Sequence, residues 1–201
     1  MSAKLEIIIL AAGNSSRLGQ AKQLVTFHGE SLLARQCKIA KQISENVSCV
    51  LGFQAQKMKN QIEDASIKVV INNQWQTGLA SSIAKGVAAI DDDTDAVMLM
   101  LVDQWQLEVT HYLRIKNLWH KNPEHIISAA QLNNDKMLTT PPVIFPAYCF
   151  SHLSQLASGS GAKSVIKHFH HQLMTELMPE AFVDLDIPEQ LQLLKNSEVS
   201  R

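Results

Sequence analysis

The chain has no surplus of charge, no long apolar run and no pairing among its cysteines. Its 18 lysines and arginines stand against 19 aspartates and glutamates, a net charge of -1. No general basic field exists to recruit nucleic acid, so any anion must be bound locally. Cys37, Cys49 and Cys149 are odd in number, widely spaced and outside any CxxC pair. That pattern argues against a disulfide framework or a zinc site and fits a reducing cytoplasm. No stretch reaches the roughly 18 apolar residues that a membrane span needs, and the N-terminus lacks an apolar run ended by a small-residue cleavage site. A soluble, cytoplasmic protein without nucleic-acid or membrane partners is expected. Linkers, low-complexity tracts and internal repeats are also missing, and 201 residues suit one domain, 1–201, with one sizeable core.

What the chain does have is a succession of continuous apolar runs: Ile7–Leu10, Val47–Leu51, Lys68–Ile71 and Ala96–Val102. Strands covered on both faces of a parallel sheet read this way. Between them, Leu32, Leu33, Cys37, Ala40 and Ile43 keep helical spacing, as do Ile83, Val87 and Ile90. The first half therefore predicts alternating strands and helices. The fold class is α/β, a single doubly wound, mostly parallel sheet with helices on both faces. The second half is less regular: a helix near Val109–Trp119, a strand at His125–Ala130, a Pro-rich turn at TTPPVIFP, then helices around Ala147–Leu156 and Gly161–Phe169. Pro188 suits the first turn of a final helix, where its missing donor is not needed, and the last half-dozen residues are expected to fray.

The stretch LEIIILAAGNSSRLGQAKQL, Leu5 to Leu24, runs from a buried strand straight into a small, polar and basic segment. Open α/β sheets bind ligands at the carboxyl edge of their strands, where the loops diverge. Following Leu10, the residues Ala11, Ala12 and Gly13 carry little or no side chain, so a nucleobase or phosphate can approach the backbone amides there. Arg17 offers a planar fork of donors and Lys22 a compact charge for the same phosphates. This is neither a P-loop, which needs GKS or GKT, nor a GxGxxG fingerprint. The plain alternative is a tight turn with two solvated cations. Either way both cations are expected in a polar loop where truncation leaves stability nearly unchanged.

Asp103 ends the most apolar strand and must lie near the same crevice. A buried, unpaired carboxylate is costly, and magnesium bridging Asp103 to nucleotide phosphates would satisfy it; capping of the next helix is the alternative. Asn72, Gly78, Ser81 and Ser82 precede an apolar helical pattern, so Ser81 or Ser82 is expected to cap that helix or to bind a ligand at its N-terminus. Asp184 and Asp186 in VDLDIP are further carboxylates, less expected as metal ligands than Asp103. In HFHH, His168 to His171, a third ligand is missing, and a solvated helix end accounts for it better than a metal. Trp75 and Trp119 are expected to pack rather than to stack on a ligand.

LAAGNSSRLGQAKQL resembles the LAAGxSxRxGxxKxL signature of the nucleotidyltransferase family that acts in molybdenum cofactor maturation. NNQWQTGLASSIAKGV, Asn72 to Val87, is similar to the family segment NPxWxxGxxSSIxxGL, and VMLMLVDQ, Val97 to Gln104, to its strand ending in DQ or DM. The likeness implies a Rossmann-like nucleotidyltransferase fold whose N-terminal half binds the nucleotide and whose C-terminal half binds the acceptor. Leu10, Ala11, Ala12, Gly13, Arg17, Lys22, Asn72, Gly78, Ser81 and Ser82 would then contact the nucleotide, and Arg17, Lys22 and Asp103 would carry the chemistry with magnesium. LAAG, rather than LAGG, points to CTP as donor and molybdopterin as acceptor, with a molybdoenzyme or delivery chaperone as a further partner.

Two departures bear on this. DQW replaces the common DQP, so Trp105 is expected to set a large ring beside the metal ligand and alter the acceptor pocket. SGSGAK replaces GDxGAR, with Gly159 at the acidic position and Lys163 at the basic one. Two alternatives therefore remain: a transferase for a phosphorylated sugar or alcohol, and an inactive nucleotide-binding protein in cofactor delivery.

Overall fold

The structure, a computed structural model, describes residues 3–199. The apolar opening run forms β1 (Leu5–Ala11), buried along its whole length. A small hairpin comes next, β2 (Thr26–Phe27) and β3 (Glu30–Ser31), then α1 (Leu32–Ile43), β4 (Asn46–Leu51), the short α2 (Ala55–Lys59), β5 (Lys68–Ile71), α3 (Leu79–Val87) and β6 (Ala96–Leu101). The second half adds α4 (Val109–Lys121), β7 (Ile126–Asn133), β8 (Lys136–Pro146), α5 (Phe150–Ser154), α6 (Lys163–His168), β9 (Leu173–Leu177) and α7 (Pro188–Val199). Helix α7 covers most of the segment expected to fray; residues 200 and 201 lie outside the described residues.

Seven strands form one sheet in the order β5-β4-β1-β6-β8-β7-β9. All neighbours run parallel except β8, which is antiparallel to both β6 and β7. The sheet is thus mostly parallel and its helices cover both faces. Successive residues of β1 point to opposite sides: Ile7, Ile9 and Ala11 meet the core under α1 and α4, while Ile8 and Leu10 meet the core under α3, α5 and α6. Among the described residues no helix is long and apolar enough to cross a membrane.

TTPPVIFP is not a turn. It is the end of β8, pairing with both β6 and β7. Prolines cannot donate to a ladder, and strands accept them at irregularities. Here the register steps from Ser128 opposite Val143 to Ala129 opposite Thr140, leaving Pro141 and Pro142 without a ladder partner on that side. Strand β9 has no counterpart among the elements expected from the sequence, because its half-buried residues give no continuous apolar run.

Candidate active site

Parallel pairing of β1 with β6 sets Leu10 beside Leu101, so the AAG turn and Asp103 leave the sheet side by side. Buried Gln23 shapes that turn: its amide donates to the carbonyls of Ala11 at 2.9 Å and Gly13 at 2.7 Å. The Ala12 carbonyl accepts from the Phe53 amide at 2.9 Å. Above these strand ends opens a cleft of about 660 Å³. A cavity of this size is ordinary for a small-molecule site.

The side chains at its mouth form a charge network. Lys22 Nζ donates to Asp103 Oδ2 and, at 3.0 Å, to Asp186 Oδ1. Arg17 Nη2 donates to Asp186 Oδ2 at 2.7 Å. Asp184 completes the cluster: one carboxylate oxygen from each of Asp103, Asp184 and Asp186 lies within 4.8 Å of the others. The VDLD pattern explains the last two, since Leu185 between them is fully buried and alternation turns both carboxylates the other way.

The environments differ within the cluster. Burial pushes the Asp184 carboxyl above the ordinary range, and the charges of Asp103 and Asp186 add to it. Burial pushes Asp186 in the same direction, but its hydrogen bonds and ion pairs with Lys22 and Arg17 outweigh that and hold it below the usual value. For Lys22, burial disfavours the ammonium, yet Asp103 and Asp186 together keep its pKa raised. Lys22 is therefore a charged group enclosed by carboxylates, with only 18% of its side chain exposed. The solvated loop lysine expected from the sequence is corrected on this point, because the carboxylates compensate its burial. Arg17, 73% exposed, does sit in the solvated loop.

Of the residues singled out in the sequence, Leu10, Ala12, Gly13, Arg17, Lys22, Gly78, Ser82, Asp103, Asp184 and Asp186 line the cleft. Ala11, Asn72 and Ser81 are not among its lining residues. Ala11 faces the α1 side of the core. Asn72, buried, donates to the hydroxyls of Ser81 at 2.9 Å and Ser82 at 3.0 Å. The Ser81 hydroxyl in turn has two carbonyls in reach of its one proton, Gly78 at 2.9 Å and Gln74 at 3.1 Å. Neither serine caps the helix as expected. Gly78 occupies the N-cap position of α3, one turn earlier than the pattern implied, and the serines brace the loop instead. Trp75 packs edge-on against Phe53 with ring centroids 5.5 Å apart and also contributes to the cleft lining. Trp119 is fully buried packing.

Trp105 is not among the residues that line the cleft, as a ring beside the metal ligand would be. Its ring is buried in the core that packs under α1 and α4, edge-on to Phe27 with centroids 5.3 Å apart. Burying so large an apolar ring outweighs any place at the rim. Gly159 has φ +79° on an exposed loop, where a residue without a side chain fits best. Sequence reasoning passed over Gln104, whose amide donates to the carbonyls of Pro141 at 2.5 Å and Ala181 at 2.7 Å. It ties the Asp103 turn to β8 and to the segment that delivers Asp184 and Asp186. In HFHH, His168 stacks on His152 of α5 at 4.9 Å between centroids. The carboxylate triad is the group of three potential ligands found among the described residues.

The model of the MobA-like NTP transferase domain matches residues 7–174. The chain belongs to this family. Across 212 aligned residues it is 26% identical to the purine catabolism protein PucB of Bacillus subtilis (strain 168), covering 94% of this chain and 95% of PucB. It is 24% identical to the molybdenum cofactor cytidylyltransferase of Escherichia coli (strain K12), with 92% of each chain covered. Among solved structures it is similar to the manganese complex of Rv0371c from Mycobacterium tuberculosis H37Rv, with a TM-score of 0.78, 20% identity, and coverage of 96% and 98% of the two chains. Family and fold together make this chain a nucleotidyltransferase-type α/β protein.

Proposed function

We propose that the protein transfers a nucleotidyl group from CTP to a phosphate-bearing acceptor, releasing pyrophosphate, with magnesium held by Asp103, Asp184 and Asp186. One observation carries this reading: three carboxylates with oxygens within 4.8 Å of one another meet two cations at the mouth of a cleft walled by the AAG turn. Carboxylate oxygens suit a hard cation such as magnesium or manganese. Bound there, the cation would supply Lewis-acid stabilisation of phosphate oxygens.

The residues of the chain account for the rest. An acceptor phosphate oxygen attacks the α-phosphorus in line; the new P–O bond forms as the bond to the β-phosphate oxygen breaks, and its electron pair leaves with pyrophosphate. No protein nucleophile is needed, so catalysis is positioning and charge stabilisation. Leu10, Ala12 and Gly13 seat the nucleotide with Gly78 and Ser82, while Ala11, Asn72 and Ser81 keep that seat in shape. Arg17 and Lys22 exchange their carboxylate partners for the triphosphate tail. The N-terminal half thus holds the nucleotide and the C-terminal half the acceptor.

For the acceptor, the likeness to the molybdenum cofactor cytidylyltransferase supports molybdopterin, with a molybdoenzyme or its delivery chaperone as a partner. An apolar recess adjoining the cleft supports a phosphorylated alcohol instead. An inactive binder draws no support from Trp105 or Gly159, since neither belongs to the cleft lining.

The test is pyrophosphate release from CTP and GTP with acceptor phosphates, in magnesium and in chelator. The methyl group of Ala12 narrows the base site, so CTP should bind ten- to a hundredfold more tightly than GTP, about 1.4–2.8 kcal/mol. In Asp103→Asn, turnover should fall on the order of a hundredfold. A folded Asp103→Asn variant with normal rate and magnesium dependence would remove the metal assignment.

A further inference from the structure

Next to the charged cleft lies a second cavity of about 240 Å³ with the opposite character. Its floor is the end of β1 and β6 (Leu10, Leu99, Leu101), and Val143 of β8 adjoins it. Ile83 of α3 and Ile166 of α6 close the sides. Of the described residues lining it, only Thr139, Thr140 and Lys163 bear polar side chains, and no carboxylate or side-chain amide is present. The two cavities are continuous in their walls: Leu10, Leu79 and Leu101 line both. Leu79 is 47% exposed at that junction. The recess extends toward β8 and α6, and neither Arg17 nor Ala11, Ala12 or Gly13 of the AAG turn is among its lining residues.

We propose that this recess receives the organic part of the acceptor, and that the acceptor is the phosphate ester of a compact apolar alcohol rather than of a sugar or a pterin. This rests on the nucleotidyl-transfer reading above. Leu101 lines the recess and stands two residues before Asp103, so a group seated there presents its phosphate toward the carboxylate cluster. Sugar hydroxyls and pterin ring nitrogens would lose water and find two threonine hydroxyls and one ammonium as partners, which is unfavourable. An apolar group loses nothing of the kind and gains burial. The space is sufficient, because a cavity of about 150 Å³ lined by apolar side chains already takes up benzene. Lys163, exposed at the rim, supplies a cation for the phosphate as it enters.

The experiment measures binding and turnover separately on the full-length protein. Calorimetry compares phenyl phosphate and 3-methylbutyl phosphate with ribose 5-phosphate and a pterin-6-ylmethyl phosphate, in wild type and in Gly161→Leu. A Cβ at Gly161 meets no atom within 4 Å and the position needs no left-handed backbone, so the leucine can extend over the recess without a clash. Ala162→Leu repeats the test from the neighbouring position, and circular dichroism checks both folds. The expected result is a preference of tenfold or more for the two apolar phosphates, in line with the roughly 10–200-fold that one methylene commands in a hydrophobic pocket. Filling the recess should abolish that preference and leave magnesium–CTP binding unchanged. Equal or tighter binding of the sugar or pterin phosphate, or apolar binding unaffected by either leucine, overturns the assignment. If the apolar phosphates bind as expected but none yields pyrophosphate from CTP, the recess assignment stands and the transferase reading falls.

Discussion

Replacing Lys22 by methionine should destabilise the metal-free protein and make its stability depend on divalent cation. The methionine keeps most of the straight apolar stem, so packing is largely preserved and charge is what changes. In the native structure Lys22 is paired with Asp103, whose side chain is only 8% exposed, and with Asp186 at 3.0 Å. Without it, three carboxylates with oxygens within 4.8 Å of one another are left with Arg17 on Asp186 as their cation. Breaking a buried pair by removing one partner costs about 3–5 kcal/mol. Lys22 is partly solvated, so the lower end applies, about 3 kcal/mol. For a domain of this size each kcal/mol moves Tm by about 2–4 °C, giving a drop of about 6–12 °C in chelator. A cation bound to the vacated carboxylates at a hundred times its Kd returns about 2.7 kcal/mol, most of the loss. Thermal unfolding followed by circular dichroism, with chelator and with increasing magnesium or manganese, reads both effects. If Lys22→Met melts within about a degree of wild type in chelator, the network is not the stabilising pair described. If cation raises the Tm of the variant no more than that of wild type, the carboxylates are not a cation site.

Gln104→Leu removes the donor to the buried Ala181 carbonyl and to the part-buried Pro141 carbonyl. It should cost about 1–3 kcal/mol for each acceptor left unsatisfied and also weaken magnesium-dependent turnover, since Ala181 precedes Asp184; normal turnover in a folded variant would sever Gln104 from the site. Gly52→Ala places a Cβ 2.5 Å from the Trp75 Cβ and 2.8 Å from the Ala12 carbonyl. Overpacking of this kind costs about 1–3 kcal/mol, and the cleft wall must shift, so nucleotide affinity and Tm should fall together in calorimetry and melting. Glu6, buried in β1, has its pKa raised above 4.5 chiefly by desolvation, opposed by hydrogen bonds from the Asp91 backbone and then the Ser48 hydroxyl. The folded state therefore holds its proton longer than the unfolded state, and stability is lost as pH rises from about 4.5 through the raised value; Glu6→Gln should melt higher than wild type at pH 8 and lose that advantage at pH 4.

The contrast between the two halves of the site shows what a sequence can convey. Continuous apolar strands report burial on both faces, and a doubly wound sheet places their carboxyl ends along one edge. AAG and Asp103 were therefore legible as neighbours, and β1 pairs with β6 as that reading requires. Asp184 and Asp186 lie on no such run. They reach Asp103 because the chain after β9 folds back along the carboxyl edge and Gln104 fastens it there, a contact spanning 77 residues that no local pattern encodes. The alternation in VDLD was the available signal, an inward Leu185 implying two carboxylates turned together, but whether they face solvent or a partner depends on where the segment docks. The same distance in sequence hid the state of the cations. Arg17 and Lys22 meet Asp186 across 169 and 164 residues, so a loop that reads as bare positive charge is, in the folded chain, already neutralised. A triphosphate entering the cleft must compete with Asp186 and Asp103 for these cations, and a cation on the carboxylates removes that competition. Metal and nucleotide should thus bind cooperatively at this edge of the sheet, each freeing the partner that the other needs.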